Sequence, residues 1–406
     1  MRTNKTSSLP LDEQTAHSLL ARYRHGMHAA LAASMLALLA GCGGSSSDTK
    51  NAASRPEPVQ PAKPSKPASI NVSNFKDNDT IRYSLPILAG TVGSEVKSIN
   101  ITTAEKVYVA EVVEGNFKAV IPLHVGANDI SFSAGGQSGN IRINYVAADN
   151  PKKVRMMYAI AADDDGRFVA EAGMPNSMEE AKTRIALQAL LMQSATAEML
   201  YKGASQRLTY ALVEDGYGKP IISTLRLPLT RAQLHAKDDN EIYQAIANAL
   251  QAEPASSNFK NMVTMGFSSY QNGKFLGHAA LGGGNLGIFG SLHLYACPGS
   301  LDQLSASFSN TKKIDTLVLP DDSGNRESYW AQCATGMGAS LHELGHTFDL
   351  EHTPTGIMSR GFDNFNRLFM LREPGYAPVL STQNEGGAVW DPISIPTLLH
   401  SEWFKR

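Results

Sequence analysis

His342-Glu343-Leu344-Gly345-His346-Thr347-Phe348-Asp349-Leu350-Glu351-His352 is the stretch that decides how this 406-residue chain reads. Its surroundings predict a helix over residues 329–348. Residues four apart share one helix face, so the imidazoles of His342 and His346 reach a single ion, while Glu343 leans toward the neighbouring open position. A catalytic zinc ion takes three protein ligands and leaves its fourth place to water, whose pKa it lowers to about 7. Glu343 then has the role of general base, accepting the proton as water attacks a carbonyl. In a chain with 11 histidines the five-residue pattern arises by accident in roughly one chain of a hundred. The context therefore matters: His352 follows six residues after His346 as a third ligand, and Met358 stands just beyond, in Gly356-Ile357-Met358-Ser359.

His342, Glu343, His346 and His352 stand at the spacing of the metzincin zinc signature, and Met358 where metzincins place the Met-turn beneath the metal. The resemblance implies one catalytic Zn2+, three histidine ligands, Glu343 as base and a peptide or protein substrate. One position departs from it. Asp349 replaces the glycine that most metzincins use to turn toward the third ligand, and Asp tolerates left-handed backbone better than most other residues. A wider resemblance covers most of the chain after residue 67. The β-rich stretch, residues 160–201, Gly277-His278-Ala279-Ala280-Leu281-Gly282-Gly283-Gly284, and Met358-Ser359-Arg360-Gly361 with Asn366-Arg367 are similar to a metallopeptidase family of bacteria and fungi. That family itself resembles metzincins, and some members carry a further lectin-like domain. By the same analogy, an expected strand at residues 288–296 is either the edge along which an extended substrate pairs or an ordinary edge strand.

The N-terminus points to export. Arg22 and Arg24 precede an apolar run at residues 29–40 that is too short to span a bilayer and ends in Leu39-Ala40-Gly41-Cys42. This resembles a bacterial lipoprotein signal with Cys42 as the acylated residue; an ordinary secretory signal is the alternative. Gly43 after Cys42 favours an outer-membrane anchor, with the protein facing the periplasm or cell surface. If Cys42 is lipidated, Cys297 and Cys333 remain, either as a disulfide in front of the active-site segment or as two buried thiols. The 36 basic and 38 acidic residues nearly cancel, with no Lys/Arg-rich block, so no nucleic acid or anionic membrane surface is expected as a partner.

The expected organisation is multi-domain. Residues 1–42 form the signal and lipobox, and 43–67 a Gly/Ser/Pro-rich tether without aromatic residues. Residues 68–150 form an all-β sandwich, immunoglobulin-like in architecture, read from alternation at Ile81, Tyr83, Leu85 and Ile87, at Val107, Val109, Glu111 and Val113, at Ile130 and Phe132, and at Ile141, Ile143 and Tyr145. Residues 151–406 form an α+β metzincin-like catalytic domain with a mostly parallel sheet and the active-site helix. Its strands are expected at 154–161, 208–213, 262–268 and 288–296. One helix runs to 201 from a capping box at Ser177 and Glu180, and another spans 240–251. His124, His278 and His293 read as structural, Tyr329 and Trp330 as packing residues. Arg360 and Asn364 either line a pocket that binds substrate or an oxyanion, or stabilise their turn.

Hydrolysis of peptide bonds outside the cytoplasm is the favoured reading. The competitor is a surface-tethered protein- or glycan-binding module with a structural zinc site, and Glu343 argues against it because a structural site needs no base. A hydrolase of non-peptide amides is a third reading.

Overall fold

Residues 71–145 form a curled sheet whose turns bring distant strand edges together. The computed structural model describes residues 69–251, 258–382 and 384–404; the expected signal, Cys42 and the tether lie outside them. Eight strands, β1 (Asn71–Val72), β2 (Asp79–Ile81), β3 (Ile87–Thr91), β4 (Ser98–Thr102), β5 (Val107–Val113), β6 (Asn116–Val120), β7 (Gly126–Ala134) and β8 (Gln137–Tyr145), run in the order β1-β3-β6-β5-β4-β7-β8-β2. Only β2 and β8 pair in parallel. The sheet turns at β5, which pairs with β4 through residues 107–111 and with β6 through Val112 and Val113. Curling encloses a core that includes Tyr83, Ile99, Ile101, Phe117, Phe132 and Ile143. The alternation expected along β5 holds only in part: Val107 and Val109 are 54% and 70% exposed, while Ala110, Val112 and Val113 are buried, both faces being covered at the end where the strand passes from β4 to β6.

From residue 153 the fold is mixed α/β. Strands β9 (Lys153–Ile160), β10 (Ala211–Leu212), β11 (Ile222–Arg226) and β12 (Phe259–Met265) precede a small hairpin of β13 (Ser269–Gln271) and β14 (Lys274–Leu276), followed by β15 (Ala280–Gly283) and β16 (Leu286–Gly290). The main sheet runs β10-β9-β12-β16-β15, with β11 also beside β9. All its pairings are parallel except β15 with β16. Side chains alternate across a strand, so β9 feeds two cores. Met156, Tyr158 and Ile160 pack toward the helices α1 (Met178–Ala204) and α3 (Tyr329–Thr347), while Met157 and Ala159 pack toward Ile242, Ile246 and Leu250 of α2 (Asp239–Gln251). Helix α1 begins where expected: the Ser177 side chain accepts the Glu180 N–H. Glu180 turns to Arg184 at 2.8 Å.

The expected strand at 288–296 is corrected in two ways. It begins at Leu286 and ends at Gly290, and Ser291–Ala296 form a 3-10 turn. It is also not the edge of the sheet, because β15 pairs along its outer side. Residues 286–297 are all buried, so an unbroken apolar run conceals the change from strand to turn. Gly282 and Gly283 are strand residues, and Gly284 at φ +54° makes the hairpin turn.

Cys297 and Cys333 are disulfide-bonded, with Cα atoms 5.0 Å apart, joining the end of that 3-10 turn to the second turn of α3. Their separation of 36 residues gives a loop-closure contribution of roughly 3–4 kcal/mol. Replacing both cysteines by alanine is expected to lower stability by that amount; equal melting temperatures for the two proteins would refute it.

Candidate active site

Helix α3 is buried along nearly its whole length, and its glycines let neighbouring segments approach closely. A Cβ on Gly345 would lie 2.6 Å from the Met358 sulfur, so the fully buried Met358 sits directly against the turn that bears His342 and His346. On another side, a Cβ on Gly282 would lie 2.2 Å from the Glu343 carbonyl oxygen. The outer strand β15 is thus pressed onto the backbone of the expected base. Gly282→Ala must part the two and is expected to cost about 1–3 kcal/mol, with lower activity, as read by thermal unfolding and peptide cleavage.

After α3 the chain reverses. The N–H groups of Phe348 and Leu350 both donate to the Gly345 carbonyl, at 2.9 and 3.3 Å, and Asp349 takes left-handed backbone at φ +63°. The turn expected to need glycine is therefore made by Asp349, and it carries His352 back over the helix. The histidine Nε2 atoms converge: His342 lies 3.1 Å from His346 and 3.2 Å from His352.

Protonation follows from the outer nitrogens. His342 Nδ1 is 2.8 Å from the Ile357 carbonyl and His346 Nδ1 is 2.8 Å from the Leu350 carbonyl. A carbonyl only accepts, so each Nδ1 carries the hydrogen and each Nε2 presents a lone pair to the common point. Burial lowers the pKa of His342 to about 4 and shifts His346 the same way, with the other histidines and Arg360 adding smaller repulsions at His342. Converging lone pairs cannot satisfy one another; a cation can. Nitrogens bound tetrahedrally to zinc at about 2.05 Å lie about 3.3 Å apart, close to the spacings here. The three residues thus fit a metal ion, and among the described residues they form the one His/Cys/Asp/Glu cluster that does.

Glu343 is 6% exposed, and burial pushes its carboxyl up to about 8. A dication beside it pulls the group back toward its ionised form.

The other candidates fall elsewhere. His293 bonds the Gln188 side chain at 3.0 Å and the Gly290 carbonyl at 3.2 Å, behind α3; burial lowers its pKa to about 4. His278 packs between Phe275 and Phe289, its Nε2 3.6 Å from Asp322. Neither joins the cluster. Asn364 donates to the Gly386 carbonyl at 2.9 Å, a turn contact. Tyr329 bonds Glu171, and Trp330 lies under Arg326. Phe362, not singled out in the sequence, lies edge-on to His342 at 5.3 Å; its one signal was its place four residues after Met358.

Residues 69–406 match the model of a family described as "Putative peptidase family". Two curated relatives are each named "Putative zinc metalloproteinase". One, from Schizosaccharomyces pombe, is 28% identical over 351 residues, 77% of this chain and 57% of the relative. The other, from Saccharomyces cerevisiae, is 26% identical over 344 residues, 75% and 49% respectively. The chain spans about half the length of these relatives. A solved structure of catalytically inactive OgpA from Akkermansia muciniphila, in complex with an O-glycopeptide, aligns at a TM-score of 0.43 and 13% identity, over 64% of this chain and 63% of that one. Because the family model takes in the whole chain from residue 69 onward, the chain belongs to this peptidase family.

Proposed function

We propose that this chain is a zinc-dependent peptidase of the metzincin type, holding one Zn2+ on His342, His346 and His352 and hydrolysing peptide bonds with Glu343 as general base. The observation that carries the reading is the convergence of three Nε2 atoms, two with tautomers fixed by backbone carbonyls, beside a buried carboxylate. When bound, the ion supplies Lewis acidity, polarising the scissile carbonyl and acidifying water. Glu343 takes the proton of the attacking water and returns it to the leaving amine. Strand β15 is the last of its sheet and lies against Glu343, so its outer edge can align an extended peptide by main-chain hydrogen bonds. Phe362 packs edge-on against His342, and Met358 lies against the helix at Gly345, between the turns that carry the histidines.

The binding-module reading is weaker. A structural zinc site closes its coordination with four protein ligands, whereas this cluster offers three beside a carboxylate that is free to act as a base. We further propose that the protein is exported and acylated at Cys42, a bacterial outer-membrane lipoprotein facing the periplasm or cell surface. The disulfide between Cys297 and Cys333 supports an oxidising compartment. The curled sheet then serves as an immunoglobulin-like module docked on the catalytic domain.

The test is metal content and casein cleavage, comparing wild type with Glu343→Ala. About one zinc in both proteins and cleavage by wild type alone support the reading. Absence of zinc, or activity surviving in the variant, sinks it.

A further inference from the structure

Beyond Met358 the chain forms a 3-10 segment, Arg360–Leu368, whose Phe362 walls one side of His342. Arg360 opens it. Its guanidinium stacks 4.8 Å from the centre of the Phe362 ring, and that ring touches His342. A cation therefore stands one aromatic ring away from the expected ligand His342. Its side chain is 66% exposed.

The local charges do not cancel. Arg360 Nη2 pairs with Asp363 at 2.8 Å, but Asp363 also accepts from Thr335 at 3.0 Å and faces Arg326 at 4.0 Å. Two guanidinium groups share one carboxylate, leaving one positive charge at the wall. Asp322 sits toward His278. Gly324, at φ +67°, lies so close that a Cβ there would be 3.0 Å from Arg360 Nη2, so the loop beneath limits the swing of the side chain. A guanidinium paired through one nitrogen and two-thirds exposed keeps further N–H donors in a planar fork, a shape that matches a carboxylate.

We propose that Arg360 binds a carboxylate on the substrate next to the scissile bond, which makes the site selective for acidic peptides. This rests on the peptidase reading above. Two sources supply that group, an Asp or Glu side chain and the terminal carboxylate of a short peptide. A charge-assisted contact of this kind corresponds to about 10- to 100-fold in kcat/KM.

The experiment uses paired quenched peptides carrying Glu or Gln at each position flanking the cleaved bond, each with a free or amidated C-terminus. They are tested on the zinc-loaded protein and on Arg360→Gln, Arg360→Lys and Arg360→Glu. The expected wild-type preference for the charged member is about 10- to 100-fold, chiefly in KM. It should collapse toward one in Arg360→Gln, survive in part in Arg360→Lys and invert in Arg360→Glu. Preference for Glu over Gln assigns the side chain, and preference for free over amidated ends assigns the terminus. A wild-type ratio near one, or a ratio unchanged in zinc-replete Arg360→Gln, overturns the proposal. Failure of the zinc-loaded wild type to cleave any peptide or casein overturns the peptidase reading, and this proposal with it.

Discussion

Glu343→Gln is expected to keep the bound metal at wild-type stoichiometry while kcat falls about 10³–10⁴-fold with KM little changed. The metal should stay because Glu343 is outside the ligand set: the three converging Nε2 atoms belong to His342, His346 and His352. The fold should stay because residue 343 is held by its backbone, against Gly282 and Gly287 of the sheet, and the glutamine has nearly the same shape. What disappears is the ability to take a proton. Burial pushes the Glu343 carboxyl up to about 8, and a cation held on the three histidines would draw it back toward the ionised, proton-accepting form. Metal analysis and initial-rate kinetics on one peptide check this. Activity within about tenfold of wild type would place the base elsewhere.

The site was legible because its chemistry lies in one short segment. Helical periodicity fixed the relation of His342 to His346 and put Glu343 beside them, and the helix Tyr329–Thr347 agrees with the expected span to one residue. Elements defined by close approach were not legible. Strand β15 is four residues long and half glycine. Nothing in its sequence says that Gly282 must lie bare because the Glu343 carbonyl sits where its side chain would be. The boundary at Gly290 was hidden for the opposite reason: burial is complete on both sides of it, so hydrophobicity carries no period. The burial of β5 does not follow one alternation because the strand changes partner after residue 111, so that Val112 and Val113 are both covered.

Contacts between distant segments left no local signal at all. Lys118 of β6 donates to Glu385 at 2.7 Å and to the Arg367 carbonyl at 2.7 Å, across more than two hundred residues. It ties the curled sheet to the segment bearing Arg360 and Phe362 and to the stretch that follows it. The curled sheet is thus tied to the α/β part of the chain by buried polar contacts, and its loss should be felt as lost stability.

That coupling has a second buried point at Glu198, where Glu198→Ala is expected to cost about 3–5 kcal/mol. The Glu198 carboxylate lies on α1, 3% exposed, and accepts from Arg207 Nε at 2.8 Å, from Tyr83 of the curled sheet at 3.0 Å and from the Asn74 side chain at 3.2 Å. Arg207 is itself enclosed, its guanidinium stacked 3.8 Å from the Phe75 ring and 3.5 Å from the Tyr201 ring. Alanine at 198 leaves that cation in the interior with only the more distant Asp79 carboxylate, 3.9 Å away, and the Asn74 carbonyl, and it removes the acceptor of two further donors. Glu198→Gln keeps an acceptor oxygen, so its cost should be smaller, about 1–3 kcal/mol. Adding Arg207→Met to Glu198→Ala removes the stranded charge and should recover much of the loss, since an apolar replacement of a whole buried pair is often close to neutral. Burial also shields the pair from salt, so the differences should persist between low and high ionic strength. Denaturant unfolding of the four proteins at two salt concentrations decides it. A Glu198→Ala loss under about 1 kcal/mol would mean that the pair behaves as an exposed one and that apolar packing alone holds the two parts together.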